Sequence, residues 1–110
     1  MARHILMVMT DAVEGKEEEF NTWYDTVHMA DMLTVPGFIS AQRFRTAAAI
    51  GKPCDNGYLC VYTIDHDDLS EAIDELTRRL PSMEISDAIN RRSVVGWGFT
   101  ELGDVRLRGQ

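Results

Sequence analysis

Cysteine is scarce in this sequence, and its scarcity excludes the class of small secreted domains that depend on disulfides. The 110 residues contain only two cysteines, Cys54 and Cys60, which is far below the density of a disulfide-stapled scaffold. Their spacing matches neither a zinc ribbon nor a thioredoxin-type pair. A reducing compartment is the simplest interpretation, and we expect a cytoplasmic protein.

Long apolar runs are also absent. The N-terminal run at residues 5–9 is too short for the apolar core of a signal peptide, and no small-residue cleavage site follows it. No other stretch approaches the roughly 20 apolar residues that cross a bilayer as a helix. We therefore expect a soluble, unprocessed protein with no membrane partner.

Positive charge is in deficit, since 11 Lys and Arg residues stand against 18 Asp and Glu residues and leave a formal net charge of −7. This excess of negative charge repels a phosphate backbone, which argues against nucleic acid as a partner. The sequence also lacks a Gly-rich phosphate loop, a Gly-x-Ser-x-Gly nucleophile elbow and a zinc signature. We expect no cofactor and no bound metal.

What the sequence does contain is enough apolar material for one core, because 45% of its 110 residues are apolar and the chain is too short for two domains. We assign residues 1–103 to a single domain and residues 104–110 to a C-terminal tail. No internal repeat of conventional period is present. Apolar periodicity and turn residues predict strands at 3–10, 37–46, 58–65 and 92–102, and helices at 15–33 and from Asp67 or Asp68 to Leu80. Residues 81–91 could form a short helical turn or a loop.

This order of elements, β-α-β-β-α-β, is that of the ferredoxin-like split βαβ plan, an α+β fold with two helices on one face of a four-stranded antiparallel sheet. The strands at 3–10 and 58–65 are nevertheless apolar on both faces. An uncovered apolar sheet face is rare in soluble monomers. We therefore expect a homodimer in which two sheets pack face to face as an eight-stranded barrel with the helices outside.

The first predicted helix carries the strongest candidates for chemistry. Its buried stripe is predicted to contain Phe20, Trp23, Val27 and Ala30, which recur three and four residues apart. Three polar residues line one edge of that stripe and can touch one another at helical spacing; they are Tyr24, His28 and Asp31.

Together these three residues could carry proton transfer. A carboxylate beside an imidazole fixes its tautomer and raises its basicity, and a tyrosine hydroxyl can donate to a developing oxyanion. The alternative is purely structural: Tyr24 packs with its hydroxyl at the rim, Asp31 bonds the Val-Pro-Gly turn, and His28 is a solvated helix residue. Asp25 is expected to be an ordinary surface charge.

Other residues could line a substrate pocket. Arg43 sits in an apolar strand, where an inward guanidinium could bind a carboxylate or enolate, although an edge position on the polar side of the strand is equally consistent. Aromatic residues are expected in the core or in the lining of a cavity; they are Trp23, Tyr62, Trp97 and Phe99. Gly96 and Gly98 lie on one side of the last strand, where another element should approach closely.

The run Asp65-His66-Asp67-Asp68 contains residue types that bind metals, but consecutive residues point in different directions and no distant cluster completes a site. Helix capping explains it better. His4 lies in a strand and is at most an additional candidate for chemistry.

The segment "WYDTVHMADMLTVPGFISAQRF", residues 23–44, resembles the helix-turn-strand segment of the EthD-like branch of the dimeric α+β barrel proteins. The shared pattern is Trp-Tyr, a His four residues after the Tyr, and Pro-Gly-Phe before a strand ending in Arg-Phe or Arg-Tyr. The resemblance implies a homodimer with a pocket between helix and sheet in each subunit. By position it implies site roles for Tyr24, His28, Asp31 and Arg43.

The resemblance also limits the function. Members of the wider superfamily include cofactor-free isomerases, polyketide cyclases and monooxygenases that act on small aromatic or lactone compounds. We expect a cofactor-free isomerase, cyclase or lyase that acts by proton transfer on a small apolar or aromatic molecule. The alternatives are a non-catalytic ligand-binding or stress-related barrel and a cofactor-free monooxygenase. A haem-binding variant is less consistent with the sequence, because His28 would need a much larger open slot.

Overall fold

The computed structural model describes residues 3–109. The elements follow in the order β1 (Arg3–Thr10), α1 (Glu17–Trp23), a π-helical segment (Tyr24–His28), α2 (Met29–Met32), β2 (Phe38–Arg45), β3 (Tyr58–Asp65), α3 (Leu69–Arg79), a 3-10 turn (Leu80–Ser82) and β4 (Val95–Thr100). We call the continuous run from α1 through α2 the first helix. The bounds predicted for β1 and β3 are confirmed, and β4 is shorter than the predicted 92–102.

The four strands form one antiparallel sheet in the order β2-β3-β1-β4. This is the predicted ferredoxin-like arrangement, so the fold class is confirmed. The helices cover one face of the sheet, where Leu6 on β1 and Tyr62 and Ile64 on β3 are buried. Gly98 faces the same side, and a Cβ there would lie 2.8 Å from Cδ2 of Leu69. The predicted close approach at this glycine is therefore present.

The ends of both helices follow from local chemistry. Gly37 has a φ of +90°, a backbone conformation that residues with a Cβ rarely adopt. This conformation lets the chain turn from the first helix into β2. Asp68 caps α3, because its carboxylate accepts hydrogen bonds from the backbone N–H of Ser70 at 2.9 Å and of Glu71 at 3.4 Å. The capping interpretation of the acidic run is confirmed.

The first helix departs from the predicted regular α-helix. The backbone N–H of Met29 bonds to the carbonyl of Tyr24, five residues earlier, which is the hydrogen-bond pattern of a π-helix. This wider turn inserts one residue into the helical repeat and rotates the residues after it. Ala30, predicted to be buried, is therefore exposed, and Met32 occupies the core instead. The prediction for Ala30 was wrong for this reason.

The opposite face of the sheet has no helix over it. Registered pairs on that face include Met7 with Trp97 and Ile5 with Phe99. Its side chains are mainly apolar and are exposed or half-buried; they include Ile5, Met7, Met9, Ile39, Phe44, Leu59, Val61, Val95, Trp97 and Phe99. We call this surface the open face. β1 and β3 were predicted to be buried on both faces, and in the single subunit their residues on this side are only partly covered.

Candidate functional site

A cavity of about 290 Å³ lies between the first helix, the covered face of the sheet and the segment that follows α3. The sheet contributes Val8, Thr10 and Tyr62, and the first helix contributes Trp23, Tyr24, His28 and Met32. The far wall consists of Leu76, Leu80, Ile85 and Ile89. The remaining lining residues, Arg91 and Val94, are the exposed ones, and they therefore mark the opening to solvent.

A second depression is larger but differs in kind. It measures about 740 Å³ and runs along the outer side of the first helix, where it is lined by residues such as Lys16, Glu18 and Glu19. It is open to solvent and has charged, flexible walls, whereas ligand sites are typically concave and mostly apolar with a few convergent polar groups. The 290 Å³ cavity is the better candidate.

The π-helical segment turns Tyr24 and His28 into the cavity together. Both side chains are buried, and their rings meet edge to face with centroids 4.9 Å apart. The ring of Trp23 stacks on His28 at 4.8 Å with an interplanar angle of 24°. The indole N–H of Trp23 donates to the carbonyl of Glu84 at 2.8 Å, which fixes the platform on which the imidazole rests.

His28 is held in its neutral form. Burial is the larger influence and lowers its pKa from 6.5 to about 4. The negative charge of Asp31 acts in the opposite direction, but it is too weak to return the pKa to 6.5. Nδ1 is buried with no hydrogen-bond partner within residues 3–109. The expected hydrogen bond from the imidazole N–H at Nδ1 to the Asp31 carboxylate is therefore not formed, because the π turn buries His28 while Asp31 stays half-exposed beyond it.

This depressed pKa predicts a pH dependence of stability. Between about pH 6.5 and pH 4 the unfolded chain binds a proton at residue 28 and the folded protein does not, so the free energy of unfolding falls as the pH falls. The full loss is roughly 3 kcal/mol. Urea unfolding gives the free energy of unfolding at each pH in this range for the wild type and for His28→Leu. The effect is the difference between the slopes of these two free energies against pH.

The difference between these slopes isolates His28 from the carboxylates that titrate in the same range. A His28→Gln variant is a second test, because it also lacks the imidazole and should show the same reduced slope as His28→Leu. If the wild type and His28→Leu lost stability in parallel between pH 6.5 and pH 4, the imidazole would not be desolvated as described.

Two tyrosine hydroxyls meet beside the imidazole. The hydroxyl oxygens of Tyr24 and Tyr62 lie 3.0 Å apart and are buried, so one hydroxyl donates to the other. The proton of the accepting hydroxyl remains free for another acceptor. Burial is the main cause that raises the pKa of both phenols well above the usual range for tyrosine. Both therefore stay protonated near neutral pH. Burial likewise raises the pKa of the neighbouring Cys60 thiol.

Thr10 is a lining residue that the sequence did not single out. It is 2% exposed, and its hydroxyl oxygen has no hydrogen-bond partner within the described range. A buried polar group without a partner costs on the order of 1–3 kcal/mol. The alternation of β1, in which His4, Leu6, Val8 and Thr10 share one face, could have placed it on the helix side.

Arg43 lies on the helix side of β2 but outside the cavity. Its guanidinium donates to the carboxylate of Asp25 at 2.8 Å and to the side chain of Asn21 at 2.7 Å. It also packs 4.5 Å from the centre of the Tyr24 ring. Two of its N–H donors are therefore engaged on the outer side of that tyrosine. Arg43 does not line the cavity, as the inward of its two predicted orientations would require. Asp25, expected to be a plain surface charge, is its ion-pair partner.

Trp97 and Phe99 were expected near the pocket, and the structure puts them elsewhere. They point from β4 onto the open face and are 51% and 48% exposed, with the sheet between them and the cavity. Their strand neighbours Gly96 and Gly98 are the residues that face the helices. Trp23 and Tyr62, by contrast, do line the cavity.

His4 is a structural histidine. Its Nδ1 lies 3.0 Å from the Thr100 hydroxyl, and its Nε2 lies 2.8 Å from the carbonyl of His66. Both ring nitrogens are thus engaged away from the cavity.

Within residues 3–109 no group of three or more His, Cys, Asp or Glu side chains is arranged to hold a metal ion. The same part of the chain has no helix long and apolar enough to cross a bilayer.

Comparisons with solved structures bear on the fold. MhuD of Mycobacterium tuberculosis, a haem degrader solved with two haems in its active site, matches with a TM-score of 0.61 and 15% identity over 94% of this chain and 99% of its own. HapK of Hahella chejuensis matches with a TM-score of 0.52 and 17% identity over 99% and 100% of the two chains. The chain therefore has the α+β, ferredoxin-like fold of the dimeric α+β barrel proteins.

A protein of the EthD family from Bacillus halodurans matches with a TM-score of 0.50 and 12% identity, over 88% of this chain and 97% of its own. The resemblance to the EthD-like branch of the dimeric α+β barrel proteins is thus confirmed at the level of the fold. No protein-family model matches the chain, and no curated protein matches it. At these identities the likeness to the solved structures establishes fold alone.

Proposed function

We propose that this protein is a cofactor-free enzyme that binds a small aromatic, polyketide-like or lactone compound in the 290 Å³ cavity and moves a proton on it. The observation that carries this proposal is a desolvated, neutral imidazole whose Nδ1 has no hydrogen-bond partner within the described residues, beside two protonated tyrosines in a mainly apolar cavity. A few polar groups converging in an apolar cavity are typical of binding and active sites.

The chemistry follows from the protonation states. His28 is neutral at pH 7, because its pKa lies near 4, so it can accept a proton from a carbon next to a ligand carbonyl. The electron pair of the broken C–H bond moves toward the carbonyl and leaves negative charge on its oxygen. The free hydroxyl proton of the Tyr24–Tyr62 pair can donate to that oxygen. The imidazolium then returns the proton to another atom of the substrate.

Burial makes an isolated imidazolium unfavourable in this cavity. Proton abstraction, however, creates the imidazolium and the enolate together. Opposite charges formed side by side in a dry site attract strongly, which offsets part of the desolvation that lowers the pKa of His28. Return of the proton to a different carbon gives an isomerase. Attack by the enolate on a second carbonyl of the substrate gives a cyclase, and expulsion of a leaving group gives a lyase.

Deuterium exchange is the experiment that tests this proposal. The wild-type protein is incubated in D2O with a panel of aryl ketones, β-keto acids and lactones, and NMR follows the loss of the proton next to the carbonyl. We expect saturable, protein-catalysed exchange on at least one compound, with no requirement for oxygen. Saturable binding without exchange or conversion favours the non-catalytic binding alternative instead, and oxygen uptake favours the monooxygenase.

Haem, which MhuD binds, does not fit these residues. Trp23 covers one face of the His28 ring and Tyr24 packs against it edge to face, so little space is left for a macrocycle next to the imidazole. The cavity volume of about 290 Å³ is also just below the range of roughly 300–1,000 Å³ that is usual for small-molecule pockets.

The open face supports the further proposal that the protein works as a homodimer. It contains five apolar side chains that are 39–53% exposed, namely Ile39, Phe44, Val95, Trp97 and Phe99. Burial of apolar surface stabilises by about 25 cal/mol per Å², and a two-fold interface would pair this surface with itself. The cavity lies on the other side of the sheet, so a partner would stabilise the scaffold without closing the site.

A further inference from the structure

The opening of the cavity carries an arginine with no protein partner. Arg91 and Val94 are the exposed residues of the lining, while the rest are buried or half-buried. The ion pairs within residues 3–109 use Arg43, Arg78 and Arg79. No hydrogen bond or ion pair of the Arg91 guanidinium occurs in that range.

Other basic side chains of the described residues also lack an ion pair, so what distinguishes Arg91 is its position in the lining of the cavity. A guanidinium presents five N–H donors in a planar fork that matches a carboxylate with two parallel hydrogen bonds. Placed at the entrance of an apolar cavity, it attracts an anionic group and holds it near solvent, where the group need not be fully desolvated.

The cavity is polar at both ends and apolar between them. The inner end presents the buried hydroxyls of Tyr24 and Tyr62. The unpartnered Thr10 hydroxyl lies nearer the opening, because the backbone N–H of Asn90, next to Arg91, donates to the carbonyl of Asp11. The walls between the two ends are hydrocarbon side chains, contributed by Met32, Leu76, Leu80, Ile85 and Ile89. A molecule that satisfies this arrangement has an oxygen at one end, an apolar body and an anion at the other.

We propose that the ligand of this cavity is a carboxylic acid with an aromatic or otherwise apolar body, bound with its carboxylate at Arg91 and a carbonyl or hydroxyl oxygen at the Tyr24–Tyr62 end. This inference rests on the proposed function, because it names the substrate class of the same cavity. Arg91 orients the ligand from the opening, and the reacting carbon then lies toward His28.

The test compares matched acids and amides by isothermal titration calorimetry. The probes are 2-naphthoate with 2-naphthamide, and 6-hydroxy-2-naphthoate with its amide. We expect the wild type to bind each acid about fivefold to tenfold more tightly than its amide, as one charge-assisted pair near the surface allows. The preference should shrink as salt is raised, because the pair is partly exposed.

Two variants decide the role of Arg91. Arg91→Gln should bind the acid and the amide equally, with the affinity for the amide unchanged. Arg92→Gln is the matched control, since Arg92 is the exposed neighbour and lines no part of this cavity, and it should keep the wild-type preference. Both substitutions are at exposed positions, so folding should be retained and is checked by circular dichroism.

Each result has a distinct meaning. A wild type that binds both members of a pair equally would overturn the carboxylic acid proposal and leave the cavity as a binding site. Retention of the acid preference in Arg91→Gln would overturn the role of the guanidinium. Binding of none of the four probes would count against this proposal and against the proposed function together.

Discussion

Replacing His28 with glutamine is expected to lower turnover by about 10²- to 10⁴-fold, the usual contribution of a positioned acid–base group. Glutamine is polar and of similar length, but its side chain cannot accept and return a proton at neutral pH. Because the other lining residues are unchanged, ligand affinity should change by only a few fold. Steady-state kinetics on the compound that shows exchange, together with calorimetry, separates these two quantities.

The matched control for this substitution is His66→Gln. His66 lies at the start of α3, where its Nδ1 accepts from the backbone N–H of Asp68 at 2.9 Å, and it lines no part of the 290 Å³ cavity. It should therefore keep wild-type turnover. Full activity in His28→Gln would remove the proton-transfer role and leave His28 as a packing residue on Trp23.

The second large effect is expected on assembly. Trp97→Asp should weaken self-association by a factor of about 10² to 10³, because large aromatic residues contribute about 2–4 kcal/mol at the centre of interfaces. The new carboxylate would also be buried against apolar side chains in both subunits, which is unfavourable because the charge loses its hydration there. Sedimentation velocity at micromolar concentration measures the change.

Thr22→Asp is the control for this prediction, since Thr22 is exposed on the outer side of the first helix, away from the open face. It adds the same charge and should leave the dimer intact. A wild type that sediments as a single subunit at micromolar concentration would contradict the homodimer. Equal association of wild type and Trp97→Asp would show instead that the subunits meet through another surface.

The sequence was informative where one local rule decides the structure. The apolar run of β3 was bounded correctly because turn residues flank it on both sides, and the end of β1 because a turn-like segment follows it at residues 11–15. Asp68 was identified as a cap because a short acidic residue stood directly before a helical period. In both cases neighbouring residues determine the outcome, and no long-range contact is needed.

The site was harder to predict because it depends on contacts between distant segments. Regular helical spacing cannot show the extra residue that the π segment inserts, so Ala30 was placed inside and Met32 was not considered. The partners of Arg43 on the first helix depend on how that helix lies across β2. Residues 85–94 have no periodicity, yet they supply one wall and the opening of the cavity.

A crystal structure of the protein with a bound aryl carboxylic acid such as 6-hydroxy-2-naphthoate tests the central claim most directly. We expect the ligand in the 290 Å³ cavity, with an oxygen within hydrogen-bond distance of the Tyr24 or Tyr62 hydroxyl and its body beside the His28 ring. A ligand bound in the second depression, along the outer side of the first helix, or on the open face, with this cavity unoccupied, would contradict the account.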